Sequence, residues 1–161
     1  MIKIGLTGCD GWLGSQVKIG FENRHSILSL DFLTRDYQNN ITIEDIPEID
    51  WVFHFGAKTS IVDSFNDPIQ INKQNVTSTL SALEIAHKKN AKFLYLSSYI
   101  YGEPKYNPID EDHPIAPNNP YMISKWIGEE ACSRISSYLD IPCTIFRPFN
   151  WIGPNLDTLK N

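Results

Sequence analysis

Long apolar runs are missing from this sequence. No stretch approaches the roughly 20 apolar residues that a membrane-spanning helix needs, so no such helix and no membrane partner are expected. Cysteine is scarce, at 3 in 161 residues. Cys9, Cys132 and Cys143 are scattered and odd in number, so they read as reduced thiols of a cytosolic protein and not as a disulfide frame. No Cys/His spacing resembles a metal site. Positive charge is also short: the net charge of −5 speaks against a nucleic-acid groove or an anionic membrane surface. There is no internal repeat and no low-complexity segment. No basic, apolar leader precedes the first strand pattern, so no signal peptide is expected and the location expected is cytoplasmic. What remains, 42% hydrophobic residues in 161, suits one compact domain. Such a domain buries roughly two-thirds of the surface its unfolded chain exposes.

Glycine, by contrast, is concentrated where it matters. Residues 7–14 read T-G-C-D-G-W-L-G, with Gly8, Gly11 and Gly14 at G-x-x-G-x-x-G spacing. An apolar run, Ile2 to Leu6, leads in, and an amphipathic stretch from Trp12 to Phe21 leads out. Strand, glycine turn and helix in that order form a phosphate cradle. Backbone without side chains approaches a pyrophosphate closely, and the helix N-terminus turns its N–H groups toward it. The spacing alone is a weak signal. A second apolar run, Ser26 to Leu30, ends at Asp31, about 20 residues on, where a carboxylate accepts the ribose hydroxyls of an adenosine. It would repel a 2′-phosphate and so favours NAD over NADP. The competing reading of Asp31 is a loop cap, and Arg35 softens the NAD preference.

Short β-branched and aromatic runs alternate with longer helical patterns. Strands are expected at 2–7, 27–31, 50–55, 92–97 and 143–147, and helices at 12–22, 68–89 and 120–138. On the second helix Ile69, Val76, Leu80, Leu83 and Ile85 supply the apolar face, with His87, Lys88 and Lys89 in its last turn. The alternation implies right-handed crossovers and an α/β fold: a Rossmann-type doubly wound parallel sheet. The expected strand order is 3-2-1-4-5, with the ligand crevice at the carboxyl ends of strands 1 and 4. Five prolines in the stretch from Gly102 through Pro120 mark an ordered surface loop.

Tyr121 and Lys125 are four apart on the third helix and share a face. A phenol has a pKa near about 10; a neighbouring ammonium and a positive nicotinamide favour its phenolate. Such a tyrosine takes the proton of an alcohol while hydride leaves the same carbon. Tyr101 and Lys105 repeat the spacing, but Gly102 and Pro104 between them rule out a helix, so that pair is accidental. Ser97 and Ser98 end the fourth strand, where a hydroxyl would hold the substrate oxygen. The alternatives are a solvated helix face for Tyr121 and Lys125 and a turn for the serines.

The chain resembles the extended short-chain dehydrogenase/reductases, the NAD-dependent epimerases and dehydratases of nucleotide sugars. The resemblance rests on T-G-C-D-G-W-L-G at 7–14, Asp31, D-W-V-F-H-F-G-A at 50–57, D-P at 67–68, N-V-T-S-T at 75–79, Y-L-S-S-Y-I-Y-G at 95–102, P-Y-M-I-S-K at 120–125 and F-R-P-F-N-W-I-G-P at 146–154. It implies Tyr121 as catalytic tyrosine, Lys125 as its partner and Ser97 as the hydroxyl position, counted back from Tyr101-Gly102. Counting forward along the strand gives Ser98 instead, which is otherwise placed with the substrate. It further implies pyrophosphate contacts from Gly8, Gly11, Trp12, Leu13 and Gly14, adenosine contact from Asp31, a cofactor wall of Phe55, Gly56 and Ala57, phosphate contact from Lys58 and substrate contact from Asn150. Trp12 and Trp151 equally suit packing. His54 reads as a core histidine, Arg147 and Pro148 as a strand end, and His113 as solvated.

Two departures qualify that family picture. Tyr99 stands where related 4,6-dehydratases carry a glutamate, so epimerase, reductase or dehydrogenase chemistry ranks above dehydration. The length is about half that of the family. Residues 1–150 are expected to form the NAD-binding domain with the catalytic residues, and 151–161 to begin a missing substrate region. A nucleotide-sugar epimerase or related oxidoreductase using NAD is thus the leading expectation. An NAD-binding module without turnover and an NADPH-dependent carbonyl reductase stand as alternatives. A homodimer through helices 68–89 and 120–138 is also expected from the resemblance.

Overall fold

A computed structural model describes residues 1–31 and 42–153. Arg35 and the last eight residues lie outside that range. Five parallel strands build the sheet: β1 (Lys3–Thr7), β2 (Ser26–Ser29), β3 (Trp51–His54), β4 (Lys92–Leu96) and β5 (Cys143–Phe146). The helices are α1 (Trp12–Phe21), α2 (Ile61–Asn66), α3 (Pro68–Lys88) and α4 (Pro120–Tyr138). The doubly wound α/β architecture is the one expected from the sequence. α2 was not anticipated: at six residues it is too short to display a period.

The strand order is β2-β1-β3-β4-β5, which corrects the expected 3-2-1-4-5. β3 lies beside β1, with Ile4 opposite Trp51 and Thr7 opposite His54. The reason is burial. Val52 and His54 are fully buried and Trp51 and Phe53 half-buried, so β3 needs neighbours on both sides. β2, with Ser26 and Ser29 exposed, tolerates the edge among the described strands. The direction in which strands are added across the sheet therefore reverses between β1 and β3. For this order the ligand crevice falls at the carboxyl ends of β1 and β3, not of strands 1 and 4.

The core lies between the sheet and the α3–α4 pair, where Leu30, Val52, Ala82, Ile85, Phe93, Tyr95 and Cys132 pack together. The apolar face expected on α3 is partly wrong. Ile69 is 80% exposed and Leu80 41%, whereas Ile71, Asn75, Thr79, Ala82, Leu83 and Ala86 are buried. Two polar residues take core positions on that stripe because they meet polar partners there. Both long helices start from side-chain caps followed by proline. Asp67 accepts from Gln70 N–H at 3.1 Å, and Asn119 accepts from Met122 N–H at 2.9 Å. The Asn119 cap fixes where the Tyr121 turn begins.

Candidate active site

The glycine loop is built on one left-handed residue and one close approach. Gly8 has φ +77°, and its carbonyl accepts from Gly11 N–H at 3.0 Å, closing the turn. Gly14, in the first turn of α1, lies directly over the Gly8 carbonyl, and a Cβ there would collide with that oxygen. Gly11 is the helix N-cap and makes no side-chain cap, so the N-terminal end of α1 is left to an outside acceptor. Asp31 braces the loop: its carboxylate accepts from Gly8 N–H at 2.6 Å and from Cys9 N–H at 2.8 Å. The loop-cap reading of Asp31 is therefore part of the structure.

The opposite wall, 55–57, is tied to the loop by a buried chain of directed hydrogen bonds. Thr79 gives its proton to the Asn75 carbonyl (2.9 Å), so it accepts from His54 Nε2 (3.2 Å). His54 Nδ1 is then the acceptor for the Thr7 hydroxyl at 2.8 Å. The Thr7 oxygen in turn accepts from Phe55 N–H (3.1 Å) and Gly56 N–H (2.9 Å). Burial, aided by the charge of Lys125, pushes His54 down to about 3, so the ring is neutral. His54 is the core histidine expected. The wall differs from expectation in one respect: the amides of Phe55 and Gly56 are already used by Thr7. Ala57 is half-buried, and the Lys58 side chain is exposed while its backbone is clasped by Asn75.

At the other end of the crevice, α4 presents Tyr121 and Lys125 one turn apart. Lys125 is 3% exposed, and its ammonium sits over the Tyr95 ring, 4.4 Å from the centroid. Burial lowers it from 10.5 to about 8, with Cys132 and Glu129 acting against the fall. Burial raises the Tyr121 phenol, and the neighbouring Ser98 hydroxyl opposes the rise. Both line a cavity of about 330 Å³ with Ile61, Tyr99, Met122, Pro148, Phe149 and Asn150. Ser98 is thus the hydroxyl beside Tyr121. Ser97 lies beneath, 3% exposed, its Oγ buried without a hydrogen-bond partner.

Several other positions resolve. Trp12 packs on Trp151, centroids 6.2 Å apart, and lies against Gly153; Leu13 is half-buried. Arg147 does end β5, but it also clamps Glu129. His113 is not solvated. It is 2% exposed beneath Tyr106 and Tyr101, and its Nε2 accepts from Lys105 N–H at 2.9 Å. Packing of the proline-rich loop, not its polarity, decides this. The reading of the sequence gave no role to Asn75, whose amide bonds Ser124 Oγ at 2.9 Å and so fastens α3 to α4, or to Phe149. The N-V-T-S-T and F-N motifs were the available signals. Among the described residues no cluster fits a metal ion, and no helix is long and apolar enough to cross a membrane.

A glycine-cradled crevice in a doubly wound sheet, with a tyrosine–lysine turn opposite, defines the class of dinucleotide-binding folds. More narrowly, the chain belongs to the NAD-dependent epimerase/dehydratase family, whose profile matches residues 5–161. A provisionally named UDP-glucose 4-epimerase of Methanocaldococcus jannaschii is 32% identical over 94% of this chain and 57% of its own. The Pseudomonas aeruginosa protein RMD, solved with NADPH, superposes with a TM-score of 0.82 at 25% identity, covering 97% of this chain and 56% of its own. Thermotoga maritima UDP-glucose 4-epimerase, solved with UDP-glucose, gives 0.77 at 27% identity, with 91% and 55% covered. The chain spans about half the length of the relatives it matches.

Proposed function

We propose that this chain is the cofactor-binding and proton-transfer half of an NAD-dependent nucleotide-sugar epimerase or a close oxidoreductase relative. The observation that carries the reading is that Ser98 and Tyr121 line one cavity, with a buried Lys125 one turn further along α4. Ser98, not Ser97, takes the role of orienting the reacting hydroxyl. Tyr121 receives that hydroxyl's proton on its phenolic oxygen and returns it in the reverse direction. The positive field of Lys125 favours the phenolate that burial disfavours.

The residues suit the dinucleotide. Gly8 and Gly14 let the loop close tightly against its own backbone at the start of α1, where the helix N-terminus suits a pyrophosphate, Asp31 is the residue suited to the adenosine ribose, and Lys125 brings a buried ammonium over the Tyr95 ring. Bound NAD would supply the hydride acceptor. Asn150, exposed at the cavity rim, is suited to the nucleotide-sugar side. Tyr99 donates its hydroxyl to the Gly102 carbonyl, which fixes it as a donor and counts against a dehydratase base. Leu80, Ile123, Trp126 and Ile127, each about two-fifths exposed on α3 and α4, suit the proposed homodimer.

The half-length chain favours one second reading, dinucleotide binding without turnover. Calorimetry with NAD and NADPH, followed by assays on UDP-, GDP- and dTDP-hexoses, separates the two. The expected result is NAD binding stronger than NADPH binding, retained in Tyr121→Phe while any turnover is lost. Indifference to both dinucleotides at millimolar concentration would end the proposal, and turnover unchanged in Tyr121→Phe would remove that residue from it.

A further inference from the structure

A second charged cluster lies one turn beyond Lys125 on α4, and the chemistry above makes no use of it. Glu129 is 4% exposed. Arg147, the first residue past β5, donates from Nε to both carboxylate oxygens at 2.9 and 3.0 Å and from Nη2 at 2.7 Å. Its remaining Nη1 reaches the Tyr101 hydroxyl at 3.1 Å and the Glu111 carbonyl at 3.4 Å. Lysine followed four residues later by glutamate is itself a pairing spacing on a helix. A buried carboxylate without a partner turns to the nearest cation. Here that cation would be Lys125.

We propose that Arg147 is a positioning residue for the acid–base couple: by occupying both oxygens of Glu129, it keeps that carboxylate from neutralising Lys125 and so preserves the positive field at Tyr121. The inference rests on the reading of Tyr121 and Lys125 given above. The surroundings of Lys125 leave Glu129 as the group that matters. Tyr121, Glu129 and Cys132 share its helix, His54 faces it from β3, Tyr95 from β4, and Asn75 and Thr79 on α3 are uncharged. Burial keeps His54 neutral and raises the Cys132 thiol and the Tyr95 phenol, so both of these stay protonated. Glu129 is the carboxylate in that set, and Arg147, bonded to both of its oxygens, decides how much of its field Lys125 feels.

The test is the titration of Lys125 in the full chain, followed by NMR on lysine-labelled protein, with Lys125→Arg for assignment. In R147Q the uncompensated carboxylate should raise the Lys125 pKa, and in E129Q the uncompensated guanidinium should lower it, each by about one unit. The double variant E129Q/R147Q, neutral at both positions, should return close to the parent value. A clamp that merely holds the fold predicts shifts of the same sign in both single variants and the largest disturbance in the double. E129Q leaves unpaired only an arginine that is 21% exposed, so it reports even where R147Q does not fold. A Lys125 titration unchanged or raised in E129Q overturns the proposal. This readout needs no dinucleotide, so its failure is distinct from failure to bind NAD.

Discussion

The two ends of the crevice are built on opposite terms. At the glycine-loop end, Asp31, Thr7, His54 and Thr79 form a chain in which each donor finds an acceptor inside the protein. At the α4 end, the Ser97 hydroxyl is buried without a partner, Lys125 is buried against a ring face, and burial pushes the Tyr121 phenol up. At the first end the side-chain hydrogen bonds close within the protein, and only the N-terminus of α1 is left to an outside acceptor. The second holds groups in unfavourable desolvated states, the pattern that marks functional sites. Substitutions should therefore cost stability at the first end and restore it at the second.

The largest effect is expected at Gly14. A methyl group there collides with the Gly8 carbonyl and crowds the Cys9 Cα, with no flexible side chain to give way. Gly14→Ala should lose about 3 kcal/mol or more in urea denaturation, in the range of severe overpacking, and lose dinucleotide binding with it. Gly20, on the same helix with nothing within 4 Å of its would-be Cβ, is the control. Gly20→Ala should be neutral or gain up to about 1 kcal/mol through helix propensity. Equal losses at both would mean that the loop is not packed as tightly as its geometry requires.

Lys125→Met should move the other way. Burial lowers this lysine from 10.5 to about 8, a penalty on its charged form of about 3 kcal/mol. Losing the contact with the Tyr95 ring returns about 1 kcal/mol, so a net gain of about 2 kcal/mol is expected at pH 7. The sign follows from proton counting. Below about pH 8 both native and unfolded chains hold the proton and the penalty is complete. Between about 8 and 10.5 the unfolded chain alone holds it, so parental stability climbs with pH and the advantage of the variant fades. A variant less stable than its parent at pH 7 would contradict the contrast between the two ends.

His54 marks the finished end in acid. Its pKa falls from 6.5 to about 3 through burial first and Lys125 second. Below pH 6.5 the unfolded chain takes up a proton that the native chain refuses until about 3. This one group should therefore steepen the acid loss of stability by about 1.4 kcal/mol per pH unit across that window. His54→Asn should remove that slope, whatever it costs at pH 7 through the broken link between Thr7 and Thr79. A slope unchanged in the variant would show that the ring takes up its proton without leaving the fold.

How much of this was legible depends on the range of the interaction. Strand–turn–helix at 3–21, the two proline-started helices and the glycine loop are local patterns, and they stand within a residue or two of expectation. Strand order is not local: nothing within residues 51–54 announces that they pair with β1, and only the burial of both faces explains it. The choice between Ser97 and Ser98 is not local either: counting back from Tyr101 assumes a fixed turn length, whereas it takes the fold to show Ser98 lining the cavity with Tyr121 and Ser97 buried beneath. Arg147 and Glu129 are distant in sequence and meet only because β5 delivers one beside the other. Their pairing needed coordinates. Buried His113 shows the same limit: a polar loop hides a histidine when two tyrosines close over it.

The smallest effect sharpens the comparison most cheaply. Tyr101 and Lys105 repeat the spacing of Tyr121 and Lys125, and spacing alone cannot rank them. Between the first pair, Gly102 takes φ +67° and Pro104 bars a helical hydrogen bond, so the two side chains are not stacked on one face. Tyr101 is buried and gives its oxygen to Arg147, whereas Lys105 is exposed and uses only its backbone N–H, toward His113. Among the described residues, Lys105→Met removes no side-chain hydrogen bond or ion pair. Its stability should stay within about 0.5 kcal/mol of the parent, and its NAD affinity should not change, while Lys125→Met gains stability and loses affinity. Equal loss of NAD binding in the two variants would place the lysine that matters outside α4.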